Sequence, residues 1–199
     1  MAKGVGFSLT ASLLFGVMYY YTSLLSPLSS EQIFGWRMLL TVPAMTLFIL
    51  IWGEWNQIRE IARRLRREHR LWIVLPVSSA LLGIQLWLFM WAPLHGRALD
   101  VSIGYFMLPL TMLLVGRFLY RDRLSGWQKL AALSALLGVS HELYQAGAFS
   151  WASLLVALGY PLYFVLRRSA KTDRIGGLWF DMLLTLPVAY WFAIGSAHD

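Results

Sequence analysis

The sequence predicts an all-α membrane protein, a bundle of about seven transmembrane helices. Hydrophobic residues fill 58% of the 199 positions and charged residues only 14%, a balance too apolar for a water-soluble domain of this length. Apolar windows of about 20 residues, the length that crosses ~30 Å of hydrocarbon, recur along the chain. The charges lie in short clusters between these windows. Together these observations exclude a soluble domain carrying a single membrane anchor.

Seven apolar windows are long enough to be spans. The predicted spans are residues 4–25, 33–52, 71–94, 101–119, 127–144, 150–166 and 176–195. A cleaved signal peptide is an alternative for the first window, but about twenty apolar residues is long for a signal peptide. Because six more windows follow, we expect the first helix to be uncleaved.

The basic residues predict the orientation of the chain. Lys and Arg accumulate in cytoplasmic loops of membrane proteins. When the loops are assigned alternately, 15 of the 17 basic residues fall on one face, and the exceptions are Arg37 and Arg97. We therefore expect a multi-pass protein of the bacterial cytoplasmic (inner) membrane with its N-terminus in the cytoplasm. The net charge of +7 is then an orientation signal, and no nucleic-acid partner is expected.

The loop between the second and third spans has the pattern of an amphipathic helix. Apolar residues at helical spacing lie opposite basic ones, the apolar set being Ile58, Ile61, Ala62 and Leu65 and the basic set Arg59, Arg63, Arg66 and Arg70. Such a helix is expected to lie along the inner membrane surface and to contact anionic lipid through the segment from Arg59 to Arg70.

Small residues in the first span predict close helix packing. Gly4, Ser8, Ser12 and Gly16 recur at four-residue spacing, which lets a second backbone approach closely. This stripe indicates packing between helices and carries no chemistry of its own.

Two segments of the chain resemble each other. WRMLLTVP at residues 36–43 matches FDMLLTLP at residues 180–187 in five of eight positions. Gly16 with Tyr20 corresponds in the same way to Gly159 with Tyr163 in the preceding helices. Chance similarity between leucine-rich helices is the alternative. Since the second copy lies five spans further on, an internal duplication would be inverted, which is an arrangement typical of transporters.

Two further segments carry a family resemblance. These are GIQLWLFMWA at residues 83–92 and LDVSIGYFMLPL at residues 99–110. With WRMLLTVP, they make the chain resemble the RarD-type branch of the EamA, or drug/metabolite transporter, superfamily from residue 4 to about residue 193. The sequence departs from the family pattern at Gln85 and Leu108, where asparagine is usual, and at Arg121-Asp122, which replaces a Glu-Arg pair.

The resemblance implies a fold and a function. The family fold has ten helices in two inverted five-helix repeats, so residues 1–145 would form the first repeat and residues 146–199 two helices of the second. The chain would then be C-terminally truncated, or unable to transport alone, and a homodimer is one possible assembly. The implied function is a secondary transporter that carries a small organic metabolite or drug by alternating access.

The same resemblance, together with polar and aromatic residues inside the spans, indicates a substrate site. The candidate substrate-binding residues are Arg37, Gln85, Trp87, Trp91, Tyr105, Tyr20 and Tyr163. Arg37 could instead snorkel to the outer headgroups, and Gln85 could form an interhelical hydrogen bond. Trp91 could belong to the aromatic belt at the membrane surface.

Two carboxylates raise separate questions. Asp100 opens the fourth span, where it either caps the helix or titrates as a proton-coupling group. Asp181 takes the position of Arg37 in the second copy, on the cytoplasmic side. We expect Lys171 or Arg174 in the adjacent loop to be its partner.

Composition excludes several other functions. The chain has no cysteine and four scattered histidines, so we expect no disulfide, no metal site and no cofactor. Motifs for ATP hydrolysis or intramembrane proteolysis are absent, which argues against an enzyme. A seven-helix receptor or retinal protein would have its N-terminus outside and, for retinal, a lysine in the last span, and this sequence has neither feature. A lipid-binding scaffold is a further alternative, supported by the basic segment around residues 63–67.

Overall fold

A computed structural model describes residues 2–25, 27–121, 125–146 and 150–195, and these residues form eight helices joined by short loops. The helices are α1 Ala2–Leu24, α2 Ser30–Ile51, α3 Trp55–Leu65, α4 Leu71–Leu94, α5 Ala98–Leu119, α6 Gly126–Ala146, α7 Trp151–Ser169 and α8 Ile175–Gly195. Seven are long, and they coincide with the seven predicted spans. The prediction of an all-α polytopic bundle is confirmed.

Four of the long helices are both long and apolar enough to cross a membrane. These are α2, α4, α5 and α8. Inside each, the backbone bonds to itself, which is what a segment surrounded by hydrocarbon requires. Where helices begin, side chains complete the bonding: Ser29 caps α2 and forms a capping box with Gln32, and Ser150 caps α7.

Helix α4 is the centre of the bundle. It packs against α1, α2, α5, α7 and α8. Its apolar window is 56% buried, compared with 33% for α2 and 11% for α5, so it is the most enclosed of the four candidate spans. Leu75, Leu82 and Leu88 are among its buried residues. Side chains that point outward from α4 therefore meet several other helices, which places this helix at the wall of any internal site.

Helices α2 and α8 form an extensive antiparallel contact. The start of α2 meets the end of α8, because a Cβ atom built on Gly35 would lie only 2.5 Å from the Ala189 carbonyl oxygen and 2.6 Å from the Ala193 nitrogen. The end of α2 meets the start of α8, where the Trp179 indole N–H donates to the Thr46 hydroxyl at 2.8 Å. These two contacts set the matched segments 36–43 and 180–187 opposite each other.

The predicted amphipathic segment is a separate helix, α3, but its apolar face packs on protein. Ile61 joins a buried cluster with Leu71 and Val74 of α4, and the Arg64 guanidinium donates to the carbonyl oxygens of Ala170 and Lys171. The bundle itself supplies the apolar partner of α3, and the contact of this segment with anionic lipid stays a prediction.

The end of this segment carries a surface ion pair. Arg64 Nε lies 2.8 Å from Glu68 Oε1. The hydrogen bond from Arg64 lowers the pKa of the Glu68 carboxyl, because it stabilises the charged form. The pair holds the Arg64 side chain in the position from which it reaches the α7–α8 loop.

The small-residue stripe of α1 does not mark a close contact in the described residues. Ser12 is exposed, and a Cβ atom on Gly16 would meet nothing within 4 Å. The side chain of Ser8 and the surroundings of residue 4 are not described by the structure. The close backbone approach occurs at Gly35 instead, because α2 has a large antiparallel partner and α1 packs mainly on α4.

Replacing Gly35 tests the α2–α8 contact. We expect Gly35→Ala to destabilise the protein by ~1–3 kcal/mol, because the added methyl group overlaps backbone atoms of α8 that cannot move independently. The measurement is unfolding of the purified protein in detergent micelles. Gly16→Ala is the matched control, since it adds the same methyl group to open space. Equal stability of the two variants would contradict the contact.

Candidate functional site

Arg37 lies at the wall of a large cavity between α1 and α2. The cavity has a volume of about 790 Å³, and its lining includes Thr22, Trp36, Thr41 and Met90. Arg37 is the one charged side chain among its described lining residues. The position places a cation beside an otherwise apolar space.

The guanidinium of Arg37 has weak partners within the protein. Its Nη1 atom donates to the Met90 sulfur at 3.6 Å, and a thioether is a weak acceptor. The Thr22 hydroxyl donates to the same sulfur at 3.5 Å, so Met90 links α1 and α2 to α4. Among the salt bridges of the described residues, none involves Arg37. A half-buried cation without a carboxylate partner in a membrane helix is costly, which makes Arg37 suited to binding an anion or a dipole.

Two tyrosines lie within electrostatic reach of Arg37. Tyr105 of α5 and Tyr160 of α7 both interact with its charge, and their hydroxyl groups are 3.3 Å apart. The two rings pack with centroids 5.9 Å apart. Tyr105 was predicted from the sequence, whereas Tyr160 was missed, because no motif marks it and only the packing of α5 on α7 brings it to the site. The pair adds aromatic surface and hydroxyl groups to the charge.

Gln85 lies at the crossing of α4 and α7. Its Nε2 atom donates to the Leu155 carbonyl oxygen at 2.6 Å, which is the interhelical hydrogen bond named above as an alternative. Gly159 makes this approach possible, because a Cβ atom there would overlap Gln85 Nε2. Within the described part of the chain, the buried Oε1 atom accepts no hydrogen bond. This buried carbonyl oxygen can therefore accept a hydrogen bond from a bound molecule.

The remaining aromatic candidates have other hydrogen-bond and ring partners. The Trp87 indole N–H donates to Glu31 at 3.2 Å, and Trp91 stacks on His95 at 4.3 Å between ring centroids and packs near Trp151. Tyr20 is 68% exposed on α1, and its neighbour Tyr21 lines the Arg37 cavity instead. Both tryptophans nevertheless pack against the same buried cluster of α4, α5 and α7 as Tyr105.

Tyr163 belongs to a different cluster, around Asp181. Its hydroxyl donates to Asp181 Oδ2 at 3.0 Å, and the Arg167 Nε atom lies 3.7 Å from the same oxygen. The expected partners of Asp181 were Lys171 or Arg174, and this prediction is wrong. Helix α7 extends to Ser169, so Arg167 lies inside the helix, where it turns toward α8.

Asp100 lies at the beginning of α5. It is paired with Arg97 at 3.1 Å, and its side chain is 28% exposed. Helix α5 has Arg97 as its N-cap residue, without a capping bond from a side chain, so Asp100 acts in the first turn through its charge. Its backbone carbonyl oxygen accepts from the Ser153 hydroxyl at 2.6 Å, which joins α5 to α7.

No metal-binding arrangement is found in residues 2–25, 27–121, 125–146 and 150–195. No group of three or more His, Asp or Glu side chains lies close enough together there to hold an ion. The cavity at Arg37 instead presents one cation and the thioether of Met90.

The chain was compared with known proteins. The sequence model of the EamA-like transporter family matches residues 2–141. The chain belongs to the EamA-like transporter family. Among relatives of this EamA-like chain, an uncharacterized transporter of Pasteurella multocida is 40% identical over 193 residues, covering 97% of the chain and 66% of the relative.

Two further relatives carry the RarD name. The chloramphenicol-sensitive protein RarD of Pseudomonas aeruginosa is 43% identical over 193 residues, covering 95% of the chain and 64% of the relative. Protein RarD of Salmonella typhimurium is 27% identical over 197 residues, covering 99% and 66%. The RarD-type resemblance is therefore confirmed. This EamA-like chain spans 64–66% of the length of these relatives, and no solved structure matches it.

The tyrosine pair can be tested by a double-mutant cycle. Tyr105→Phe and Tyr160→Phe should each destabilise the EamA-like protein by about 1 kcal/mol, because each removes the same hydrogen bond. The double variant should lose little more unfolding free energy than either single variant. The measurement is unfolding in mixed micelles. Full additivity of the two effects would show that the hydroxyl groups do not interact.

Proposed function

We propose that this EamA-like protein is a secondary transporter that moves a small organic molecule across the membrane by alternating access. The observation that carries the proposal is the cavity beside Arg37, a charged side chain within a membrane helix and without a carboxylate partner among the described residues. Charged groups inside a membrane mark substrate pathways when nothing in the protein neutralises them. The transporter names of the relatives agree with this function.

The side chains around Arg37 favour a substrate with an anionic or dipolar group on an apolar body. The guanidinium binds a carboxylate through two parallel hydrogen bonds. Trp36, Met45 and Phe48 line the rest of the cavity and suit an apolar or aromatic portion. The hydroxyl groups of Thr22 and Thr41 on the cavity wall can select among polar substituents.

The antiparallel packing of α2 on α8 supports alternating access. Two copies of one helical unit with opposite orientations enclose a site that opens to either side at similar energy. The contacts at Gly35 and Thr46 set the two matched segments against each other, as an inverted pair would require. Residues 1–145 and 146–199 as the two repeats, and a homodimer as the assembly, stay predictions.

The proposal includes an orientation and a lipid contact. With the basic loops in the cytoplasm, α3 lies at the inner surface of a bacterial inner membrane. Its apolar face is occupied by the bundle, but Arg59, Arg63, Arg66 and Arg67 point away from the core. These side chains are placed to contact anionic headgroups, so lipid is a partner of the transporter and a separate scaffold function is not needed.

Ligand-induced stabilisation tests the substrate site. We expect benzoate to raise the unfolding temperature of the protein in detergent, by an amount that grows with concentration, and neutral benzamide to have a weaker effect. Arg37→Met should abolish the benzoate effect, because it keeps a long apolar side chain and removes the cation. Chloramphenicol is tested in the same way, because one relative is named for sensitivity to it.

Arg117→Met is the matched control for this experiment. Arg117 is an exposed basic residue in the last turn of α5 and lies outside the cavity. Its variant should respond to benzoate as the parent does. The substrate site is disproved if no organic anion stabilises the parent protein, or if both variants lose the effect equally.

Single-cysteine labelling tests the orientation, and the cysteine-free chain needs no background removal. Arg67→Cys should react with a membrane-impermeant maleimide in inverted vesicles and not in intact cells, because residue 67 is exposed on the predicted cytoplasmic side. His95→Cys, at the other end of α4, should show the reverse. Labelling of Arg67→Cys in intact cells would show that the orientation of the chain is the reverse of the predicted one.

A further inference from the structure

A second charged cluster lies in the other half of the bundle and has no part in the Arg37 cavity. We call it the Asp181 network. Its members are Ser78 of α4, Tyr163 and Arg167 of α7, and Asp181 of α8. All four residues are buried: Ser78 and Asp181 are 0% exposed, Tyr163 2% and Arg167 6%.

The carboxylate of Asp181 contacts each of the other three members of this network. Oδ1 accepts from the Ser78 hydroxyl at 2.5 Å, and Oδ2 accepts from the Tyr163 hydroxyl at 3.0 Å. Arg167 supports Tyr163 with a hydrogen bond of 2.6 Å and lies 3.7 Å from Oδ2. Three helices are therefore joined through one ionisable group.

Arg167 is itself fixed by the α7–α8 loop. Its guanidinium donates to the carbonyl oxygens of Thr172 and Arg174, so it cannot follow Asp181 if α8 shifts relative to the loop. The Arg167 guanidinium also packs closely on α8, because a Cβ atom on Gly177 would lie 2.8 Å from Arg167 Nη2. If α4 moves relative to α8, the contact of the network that breaks is the hydrogen bond from Ser78 to Asp181.

Breaking this contact has a different cost in the two protonation states. When α4 moves away from α8, the charged carboxylate of Asp181 loses the hydroxyl group of Ser78, which is a charge-assisted hydrogen bond inside the bundle. A neutral carboxylic acid loses an ordinary hydrogen bond, which is worth less. Protonation of Asp181 therefore lowers the free energy needed to separate α4 from α8.

The surroundings of Asp181 contain few groups that could take its place. From α7 it faces Tyr163 and Arg167, and from α4 it faces Ser78 and Ser79, whose hydroxyl groups do not titrate in the accessible range. The described side-chain contacts of α8 with α2 and α3 are made by residues that do not ionise, namely Phe34, Thr46, Trp55 and Gln57. Asp181 is the one acidic group in this set. Three further acidic residues, Glu60, Glu68 and Asp173, are exposed and line the cavity beside the α7–α8 loop.

Cavities flank the network on two sides. One, of about 660 Å³, is lined by Thr172 and Arg174, the residues whose carbonyl oxygens hold Arg167. The other, of about 430 Å³, runs along α4 and α8 and is lined by Ser79 and Thr185. The Ser79 and Thr185 hydroxyl groups are 3.0 Å apart, and both bond to the Asp181 backbone carbonyl oxygen. Asp181 thus lies between two spaces large enough for water.

We propose that Asp181 is the proton-binding site of this protein, and that its protonation releases α4 from α8. This assignment rests on the proposed transporter function, because α4 lies in the first predicted repeat and α7 and α8 in the second. A proton enters from the loop-side cavity, binds the carboxylate, and leaves Arg167 charged and held by the loop. Asp100 is paired with Arg97 near the surface, and its bond to Ser153 of the second predicted repeat is made by the backbone carbonyl oxygen and not by the carboxylate.

Cysteine protection tests the proposal without any substrate. Val74→Cys places a thiol in the buried cluster one turn from Ser78, and Val156→Cys places the control thiol in the separate cluster of α4, α5 and α7. Each thiol is reacted with a maleimide at several pH values, and its rate is divided by the rate of the unfolded protein at the same pH.

We expect the normalised rate of Val74→Cys to rise about threefold or more between about pH 8 and about pH 5, as Asp181 takes up a proton. The rate of Val156→Cys should stay constant. In the Asp181→Asn background, which mimics the protonated acid, Val74→Cys should react fast at every pH.

Three outcomes would overturn the proposal. They are a pH-independent Val74→Cys rate with Asp181 present, an Asp181→Asn background that reacts as slowly as the parent at high pH, and equal exposure of both thiols in that background. The last outcome would mean that Asp181 merely holds the fold together. Since no ligand is used, these results are independent of the benzoate experiment, so failure of the proton site and failure of the substrate site are distinguishable.

Discussion

The structure depends on one constraint, which is that hydrocarbon offers no hydrogen-bond partner to a polar group. The chain meets this constraint with helices whose backbones bond to themselves and with charges gathered between the apolar windows. Where a carboxylate is buried, the protein supplies its partners, as Ser78, Tyr163 and Arg167 do for Asp181. The central position of α4 follows, since it is the helix that both the Asp181 network and the Gln85 contact require.

Two polar groups do not fit this pattern, and both lie toward the other half of the bundle. Arg37 has a thioether as its hydrogen-bond acceptor, and the Gln85 Oε1 atom is bare among the described residues. In a membrane protein such groups are costly unless water or a ligand reaches them. The bundle thus divides into a half where charge is neutralised internally and a half that offers a cation, an acceptor and aromatic surface to a molecule from outside.

Much of the fold could be predicted from the sequence, because hydropathy and charge act locally. The seven long helices and the separate helix α3 follow from windows and periodicity alone. The contacts between helices did not follow. Gly16 was expected to mark a close approach, yet Gly35 does, since a stripe of small residues does not name its partner helix. The partners of Asp181 include Ser78, 103 positions away, and Tyr160 reaches Tyr105 only through packing. Contacts of this kind depend on how the helices pack against each other, so they leave no periodic pattern in the sequence of one helix.

The most direct test of the substrate cavity is whether water reaches it. Thr41 lies beside Arg37 on the cavity wall, whereas Leu47 is 60% exposed on the same helix and does not line the cavity. A water-soluble methanethiosulfonate reacts with thiolates, which form only in contact with water. Thr41→Cys should react readily and be protected by benzoate, while Leu47→Cys in lipid should be nearly inert. Equal, slow reaction at both positions would contradict a solvent-filled site at Arg37.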